Sequence, residues 1–493
     1  MDHSEARGLV EACAAAIDHI DSAAAALPLG GTAAADGLRA LLGAPPDLIV
    51  HAIGGLDALY LGTIVDEAQV LAIMRPLAAA RSGEGALPPA WAPGVTTLHT
   101  CADALRGLLG GAVVVLPPGG RGGWALPASK WPQRQIVEPP GEFIAQGPHA
   151  GLVETLGTNL GQIRQIIPDA RLRLESIATG ERSGTRGTLL YLQGVVRPSI
   201  LDHVRGDLAR AHPSFTLDSG MLSQWLAPRA GWWFPVIGRT ERPDTAAAAL
   251  LEGRIVILTE GSPTALLIPN VFANLLHATE DYYAPPFIAD AKRALRVVGL
   301  LTAVLASPLF VALGSVNTEL LPTSVFISFS QARRGVPLSL VAEVVMLEIL
   351  VDVIREAGLR LPSNVGQSIA IIGAVVIGQS AVSAGLISAP AVVIVSMAFI
   401  ASFTMPSTEL VLALRASRFP LLLLAAVFGL LGLTLGVLLL FAYLCSLESF
   451  GVPYLAPLSP ARPRGLQDML WRVPLPSLRR SMFARRPAGA GGA

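Results

Sequence analysis

Four acidic residues interrupt an otherwise apolar stretch of the chain, LVAEVVMLEILVDVIREAG at 340–358. They are Glu343, Glu348, Asp352 and Glu356. On an α-helix, with about 100° between successive residues, the last three lie within about 80° of one another, whereas Glu343 points nearly opposite Asp352. An ionised carboxylate at membrane depth is costly unless it is paired or faces water. The stripe therefore predicts a polar interface, a cavity or a pore.

Three interpretations of this helix follow from its sequence. The helix lies at the membrane surface with its acids among the headgroups, or the acids pair within the helix, as Asp352 and Arg355 can at a spacing of three. Alternatively, the stripe borders a cation pathway, because an oligomer turns it into a ring of carboxylates that attracts cations. In this third interpretation the pathway residues are Glu343, Glu348, Asp352 and Glu356.

No other pattern in the sequence indicates a catalytic or metal site. The motifs GxSxG and HExxH are absent, and the histidines occur in unrelated local contexts. Cys13, Cys101 and Cys445 lie far apart without CxxC or CxxH spacing, which argues against a disulfide framework and against a zinc site. We therefore predict that the protein is not an enzyme and that it binds no metal and no cofactor.

The glycine-rich PPGGRGG at 117–123 could be taken for a phosphate-binding loop. It lacks the GK[ST] ending, and a strand-like WALPASKW follows where such a loop needs the N-terminus of a helix. The segment TEGSP at 259–263 takes the corresponding place later in the chain. We predict a hairpin turn at both positions.

The apolar residues are concentrated in the second part of the chain. Of its 493 residues, 52% are hydrophobic and only 15% are charged, and the mean hydropathy is +0.55. Residues 1–290 carry charges throughout, whereas 297–445 contain one long apolar segment after another. This distribution predicts a soluble region followed by a membrane region. Basic and acidic residues balance at 36 each, so we expect no nucleic-acid partner.

An internal repeat organises the soluble region. Residues 58–77 match 190–208, each an apolar strand-like run with a tyrosine followed by a helix-like segment. Residues 102–131 match 245–272 in the order helix, glycine, strand, turn, strand. Two matching pairs in the same order predict two related α/β subdomains.

The predicted fold is an α/β cytoplasmic region of two related subdomains followed by an all-α polytopic membrane domain. The start of the chain lacks a basic segment followed by an apolar one, so we expect the soluble region to stay in the cytoplasm. The predicted first α/β subdomain, with an N-terminal helical segment, covers 1–137, and a linker helix with the second α/β subdomain covers 138–290. A transmembrane domain of roughly four to six segments follows at 291–448, and a cytoplasmic basic tail at 449–493.

The predicted membrane domain contains several segments long enough to cross a bilayer or nearly so. Basic residues precede the first and follow the last, so the positive-inside rule places both ends in the cytoplasm and requires an even number of crossings. We expect four full crossings and one re-entrant or interfacial element built from 320–355. Gly, Ala and Ser in the middle segments suit close packing in an oligomeric or polytopic bundle. The candidate segments are 297–315, 338–354, 366–384, 388–405 and 419–445.

Long segments of the chain resemble those of one known family, in the same order. They include EPPGEFIAQGPHAGLVETLGTNLGQIR, EDYYAPPF, VGQSIAIIGAVVIGQSAVSAGLISAP and SFGVPYLAPLSP. With TERPDTAAAALLEGRIVILTEGSPTALLIP they cover much of the chain between about 130 and about 460. The chain resembles the A subunits of spore germinant receptors, which form the GerA spore germination family of endospore-forming bacteria.

The resemblance implies a nutrient-gated ion channel subunit that crosses the spore inner membrane several times. It also implies partners: a ring of copies of the same chain, a transporter-like B subunit, a lipoprotein C subunit and membrane lipid. Glu343, Glu348 and Glu356 match the acid-bearing helix of the family, whereas Asp352 stands where we expect Glu. Asn159 and Arg164 also fit the family pattern, and we expect them to join the subdomains or neighbouring subunits.

Two other functions are compatible with the sequence. A paralogue in the stage V sporulation membrane complex shares this architecture and would act as a membrane channel or scaffold. A secondary transporter would bind its substrate among broken helices, with which Pro308 and Pro390 are compatible. Stoichiometry separates these functions, because a channel or scaffold predicts a ring and a transporter predicts a monomer or dimer.

Overall fold

The chain folds into two compact units in the structure, which is a computed structural model. The first unit contains the described residues up to 227 and those at 237–269, and the second contains 233–236 and the described residues from 270 onward. The N-terminal helical segment predicted before residue 32 and most of the basic tail lie outside the described residues. The structure describes 32–53, 55–79, 94–117, 122–130, 142, 147–211, 213–227, 233–360, 378–461, 469 and 471–472.

The first unit contains two antiparallel sheets of five strands each. The strand order in the first sheet is β1-β2-β4-β5-β3. The elements of this first subdomain are α1 (Thr32–Leu41), β1 (Leu48–Ile53), β2 (Leu56–Leu61), α2 (Glu67–Ala79), β3 (Thr96–Leu98), α3 (Cys101–Leu109), β4 (Ala112–Leu116) and β5 (Gly123–Pro127).

The second sheet has the equivalent order, β6-β7-β9-β10-β8. It belongs to a second subdomain that follows the first in the chain. The elements of the second subdomain are α4 (Leu156–Ile166), β6 (Leu172–Thr179), β7 (Thr185–Leu192), α5 (Pro198–Arg210), α6 (Ser219–Leu226), β8 (Gly238–Thr240), α7 (Pro243–Leu251), β9 (Ile255–Thr259) and β10 (Ala265–Ile268).

The two sheets confirm the internal repeat predicted from the sequence. In both subdomains, helix, two strands, helix, short strand, helix and two strands follow in the same order, with α6 as an addition in the second copy. The central strands β4 and β9 are buried along nearly their whole length, which explains their unbroken apolar sequences AVVVL and IVILT. β4 pairs with β5 and β9 with β10 antiparallel, as the two predicted hairpins require. Residues 118–121 of the first turn lie outside the described residues.

The second unit is mainly helical. Its two long apolar helices, α9 with its π-helical extension to Val316, and α14, are long and apolar enough to cross a membrane, and α13 is a shorter apolar helix. The elements of this unit are α8 (Phe272–Leu276), α9 (Pro286–Val311), α10 (Thr323–Ala332), α11 (Leu340–Arg360), α12 (Gly378–Ser383), α13 (Ala389–Ser402), α14 (Thr408–Ser446), β11 (Glu448–Ser449) and β12 (Val452–Pro453).

The chain reverses direction within α14 at Gly429. This residue has φ +59° and ψ −139°, which glycine adopts most readily. A Cβ atom on Gly436 would lie 2.7 Å from Cδ2 of Leu421, although fifteen residues of continuous helix would separate the two by about 22 Å. We call residues 408–428 the first arm and residues 430–446 the second arm.

The reversal corrects the sequence prediction of one crossing over 419–445. The segment is apolar throughout, so its hydropathy alone does not indicate a turn. The amide oxygen of Asn317, which follows α9 in the chain, accepts a hydrogen bond of 2.8 Å from the backbone N–H of Leu430 and so caps the start of the second arm.

Both ends of the helical bundle lie at the same end of the second unit, which we call the base. After the second arm, Ser449 Oγ donates to the carbonyl of Val236 at 2.6 Å and accepts from the N–H of Asn270 at 3.0 Å. The N–H of Phe272 donates to the carbonyl of Tyr454 at 2.9 Å. Since residues 270–272 closely precede α9, the chain enters and leaves the bundle at its base.

The carboxyl group of Glu142 makes the stability of the first unit depend on pH. It accepts a hydrogen bond of 2.9 Å from Oγ1 of Thr240, but burial outweighs this bond and raises the pKa from 4.5 to about 7. An acid that holds its proton more tightly in the folded state stabilises that state below the unfolded pKa and loses this contribution as the pH rises through the folded pKa. We expect the free energy of unfolding to fall by up to roughly 3 kcal/mol across this interval.

Thermal unfolding of the full chain at several pH values between these two pKa values tests this expectation. Glu142→Gln removes the titrating group and flattens the decline, whereas Glu154→Gln, an exposed acid of the same unit, leaves it unchanged. A decline of equal slope in the Glu142→Gln variant contradicts the prediction.

Candidate functional site

The acid-bearing helix α11 passes from the interior of the second unit to its surface. Glu343 is fully buried and Glu348 is 4% exposed, whereas Asp352 is half-buried and Glu356 is exposed. The apolar residues between them pack against α9, α13 and the first arm. Each buried carboxylate therefore needs a partner supplied by another element.

Glu343 pairs with the start of α13. The backbone N–H and the hydroxyl of Ser388 both donate to Oε1 of Glu343, the hydroxyl at 2.6 Å. Ser388 is the N-cap residue of α13, so the carboxylate also lies at the positive end of that helix dipole. Nε of Arg333 lies 3.5 Å from the other carboxylate oxygen.

Glu348 joins three helices at the centre of the bundle. The hydroxyl of Ser307 on α9 donates to Oε1 at 2.5 Å, and the guanidinium of Arg418 on the first arm donates to Oε2. The side chains of both members of the ion pair are 5% exposed. Charge-assisted bonds of this kind compensate part of the cost of burying the two charges.

Asp352 accepts a hydrogen bond from Arg415, which also belongs to the first arm. Arg355, the intrahelical partner considered from the sequence, instead lies with its guanidinium carbon 5.6 Å from the ring centroid of Phe403. Glu348 and Asp352 are four residues apart on α11, and their arginines are three residues apart on the first arm. Two acids of α11 thus pair with two arginines of the first arm along one helix–helix contact.

The structure describes all four predicted pathway residues but brings them to different partners. Glu348 and Asp352 face the first arm, Glu343 faces α13, and Glu356 is exposed. The assignment of these residues to a cation pathway stays a prediction. Sequence reasoning missed their arginine partners, although arginines at a spacing of three in the apolar segment TELVLALRASRF gave a usable signal.

The predicted interface residues Asn159 and Arg164 lie on α4 and are both buried. The side-chain amide of Asn159 bonds twice to the backbone of Val153, accepting from its N–H at 2.8 Å and donating to its carbonyl at 2.5 Å. These bonds hold α4 to the segment that precedes it in the second subdomain.

Arg164 reaches the first subdomain. Its Nε and one terminal nitrogen each donate to a carboxylate oxygen of Asp47 at 2.8 Å, in a bidentate pair whose side chains are 2% and 7% exposed. Asp47 directly precedes β1 and also accepts from the hydroxyl of Thr63 at 2.7 Å. The pair links α4 of one repeat to the first strand of the other.

Comparison with known proteins places the chain in a family. The sequence model of the family described as Bacillus/Clostridium GerA spore germination protein matches residues 38–483. The chain therefore belongs to the GerA spore germination protein family, as the resemblance predicted.

Individual relatives agree with this membership. The chain is 38% identical over 342 residues to spore germination protein KA of Bacillus subtilis, an alignment that covers 69% of this chain and 63% of that relative, less than two thirds of its length. It is 36% identical over 367 residues to the uncharacterized membrane protein YfkQ of the same species, covering 74% and 72%. It is 33% identical over 388 residues to spore germination protein GerLA of Bacillus cereus, covering 79% and 78%.

A solved structure is also similar to part of the chain. It is the N-terminal domain of the A subunit of the Bacillus megaterium spore germinant receptor GerK3, at 22% identity. The alignment covers 50% of this chain and 98% of that domain, with a TM-score of 0.36.

Loss of either member of the Glu348–Arg418 pair is expected to destabilise the second unit. Glu348→Gln leaves a buried guanidinium without its counter-ion, which costs roughly 3–5 kcal/mol. The double variant Glu348→Gln/Arg418→Gln recovers much of this loss, because neither buried charge remains. Thermal unfolding of the detergent-solubilised chain measures the cycle, with Glu448→Gln as the exposed control. Additive losses in the double variant would contradict the pairing.

The Asp47–Arg164 pair is expected to hold the two subdomains together. Arg164→Ala leaves the buried Asp47 carboxylate without its counter-ion, with a cost of roughly 3–5 kcal/mol to the first unit. Arg186→Ala removes an exposed pair with Glu260 and changes stability by less than about 0.5 kcal/mol. Unfolding curves measure both variants, and native gels measure assembly. An Arg164→Ala protein that matches the Arg186→Ala protein in both would refute the prediction.

Proposed function

We propose that the chain is a membrane subunit of a spore germinant receptor and that it forms, with other copies of itself, a nutrient-gated cation channel. The observation that carries this proposal is α11, whose buried Glu348 and half-buried Asp352 pair with arginines of a neighbouring apolar arm. Membership of the GerA family supports a role in spore germination, as do relatives named as spore germination proteins.

The proposed location is the inner membrane of the spore, which the chain crosses several times. Among the described residues, support comes from the apolar helix α9 and from the two apolar arms of α14. Because the bundle begins and ends at its base, we propose an even number of crossings. Lys292, Arg293 and Arg296 occupy the first turns of α9 at the base. The positive-inside rule then assigns the base to the cytoplasmic side.

In the proposed closed state, arginines of the first arm neutralise the carboxylates of α11. A close ion pair attracts cations far less than an isolated carboxylate does, so the Glu348–Arg418 and Asp352–Arg415 pairs keep the pathway unattractive to cations. Separation of the first arm from α11 would expose the acids. In a ring of subunits the exposed acids would form a circle of negative charge along the pathway.

The proposed partners are further copies of this chain, a transporter-like B subunit and a lipoprotein C subunit. We assign recognition of the nutrient to the B subunit and no enzymatic activity to this chain. A ring without ion flux would instead support a scaffold role in a sporulation complex.

Potassium release from liposomes tests the channel proposal. Liposomes hold the purified chain alone or with the B and C subunits, with and without candidate nutrients. The paired variants Glu348→Gln/Arg418→Gln and Asp352→Asn/Arg415→Gln remove acids without leaving unpaired arginines, and Glu154→Gln in the first unit is the matched control.

We expect nutrient-dependent release that falls several-fold in each paired variant, because the pathway loses its attraction for cations. Unaltered potassium release in both paired variants would show that these acids do not line the cation pathway. Absence of release under every condition, while native gels still detect rings, would overturn the channel in favour of the scaffold.

A further inference from the structure

An open slot of about 220 Å³ separates the two arms of α14 near the base. Both arms and Trp233 contribute to its walls. Its lining includes Trp233, Ser417, Leu424, Gly436, Leu440 and Tyr443.

Residues with small side chains and one proline shape the slot. Gly436 allows close approach on the second arm, since a Cβ atom there would lie within 3 Å of the side chains of Leu421 and Leu424. On the first arm, Ser417 and Pro420 line the slot where larger side chains would fill it. The Ser417 hydroxyl donates to the carbonyl of Ala413 at 2.8 Å, so its hydrogen-bonding capacity is used within the helix. The remaining lining is largely hydrocarbon.

The surface around the slot is apolar as well. Leu423 on the first arm and Leu431, Leu435 and Leu438 on the second arm are each about half to two-thirds exposed. Burial of such side chains is favourable in an apolar environment, which a bilayer supplies to apolar arms of this kind. The slot is open rather than enclosed, so molecules outside the two arms have access to it.

We propose that the slot binds one acyl chain of a membrane lipid, with the headgroup at the base. The inference rests on the membrane location under Proposed function. Trp233 and Tyr443 lie at the end of the slot nearest the base, and such residues are enriched where a bilayer meets water. The acyl chain passes them and lies against Ser417, Pro420 and Leu440.

The dimensions favour an extended chain over a helix of a second subunit. A helix with its side chains is about 10–12 Å across, which exceeds what a slot of this volume between packed arms can accept. An acyl chain has no hydrogen-bonding groups to satisfy, which matches the largely hydrocarbon lining. An occupied slot fixes the spacing of the arms, and the first arm carries both arginines that pair with α11.

Photoactivatable lipids test the proposal on the full chain in liposomes. A phospholipid with a diazirine near the middle of one acyl chain is irradiated, and mass spectrometry maps the labelled residues. Leu440→Trp fills the slot from the second arm. Leu438→Trp places the same side chain two residues away, outside the slot lining and 63% exposed, and serves as the matched control.

We expect labels on slot residues of both arms, with a several-fold loss in Leu440→Trp and no loss in Leu438→Trp. Labels confined to outward leucines such as Leu431 and Leu438 in the native chain would overturn the slot while leaving the membrane location intact. Absence of label everywhere would overturn the membrane location and the slot with it. Disulfide cross-links between copies of a Leu440→Cys variant, together with no lipid label in the slot, would identify a second subunit as the occupant.

Discussion

A carboxylate buried among apolar helices must be paired, and the Glu348–Arg418 ion pair is the constraint on which the second unit depends. Its two members come from α11 and the first arm, and Ser307 of α9 supplies a third bond to the same carboxylate. Three helices are therefore fixed relative to one another by one buried charge. Breaking such a pair is far more costly than replacing both members with apolar residues. The pair therefore serves mainly to fix the relative positions of the helices.

The chain reversal at Gly429 makes this pairing possible. It forms an arm whose arginines run beside α11, and it returns the chain to the base, where Ser449 and Tyr454 bond to residues that precede α9. A single straight helix over 408–446 would carry its last residues far from that segment. The bundle is thus closed by polar contacts at its base and by Asn317 at the reversal.

The first unit follows the same physical rule. Two repeats with equivalent sheet order each bury an apolar core of their own. They are joined through Arg164, whose bidentate pair with Asp47 fixes α4 of the second repeat against the first strand of the other. In both units an arginine that is nearly inaccessible to water joins elements far apart in sequence.

The sequence by itself determined which family the chain belongs to. It also determined those elements of the fold that depend on local pattern. The repeat of 58–77 in 190–208, the hairpins around PPGGRGG and TEGSP and the acid stripe of α11 follow from periodicity and turn chemistry, which act over a few residues. The partners of Glu348, Asp352 and Arg164 lie 70, 63 and 117 residues away along the chain. Only the tertiary structure selected them, because any of several arginines could neutralise a given acid. The reversal at Gly429 was decided in the same way, since other glycines in the same apolar run stay helical and the cap of the second arm comes from Asn317, far away in sequence.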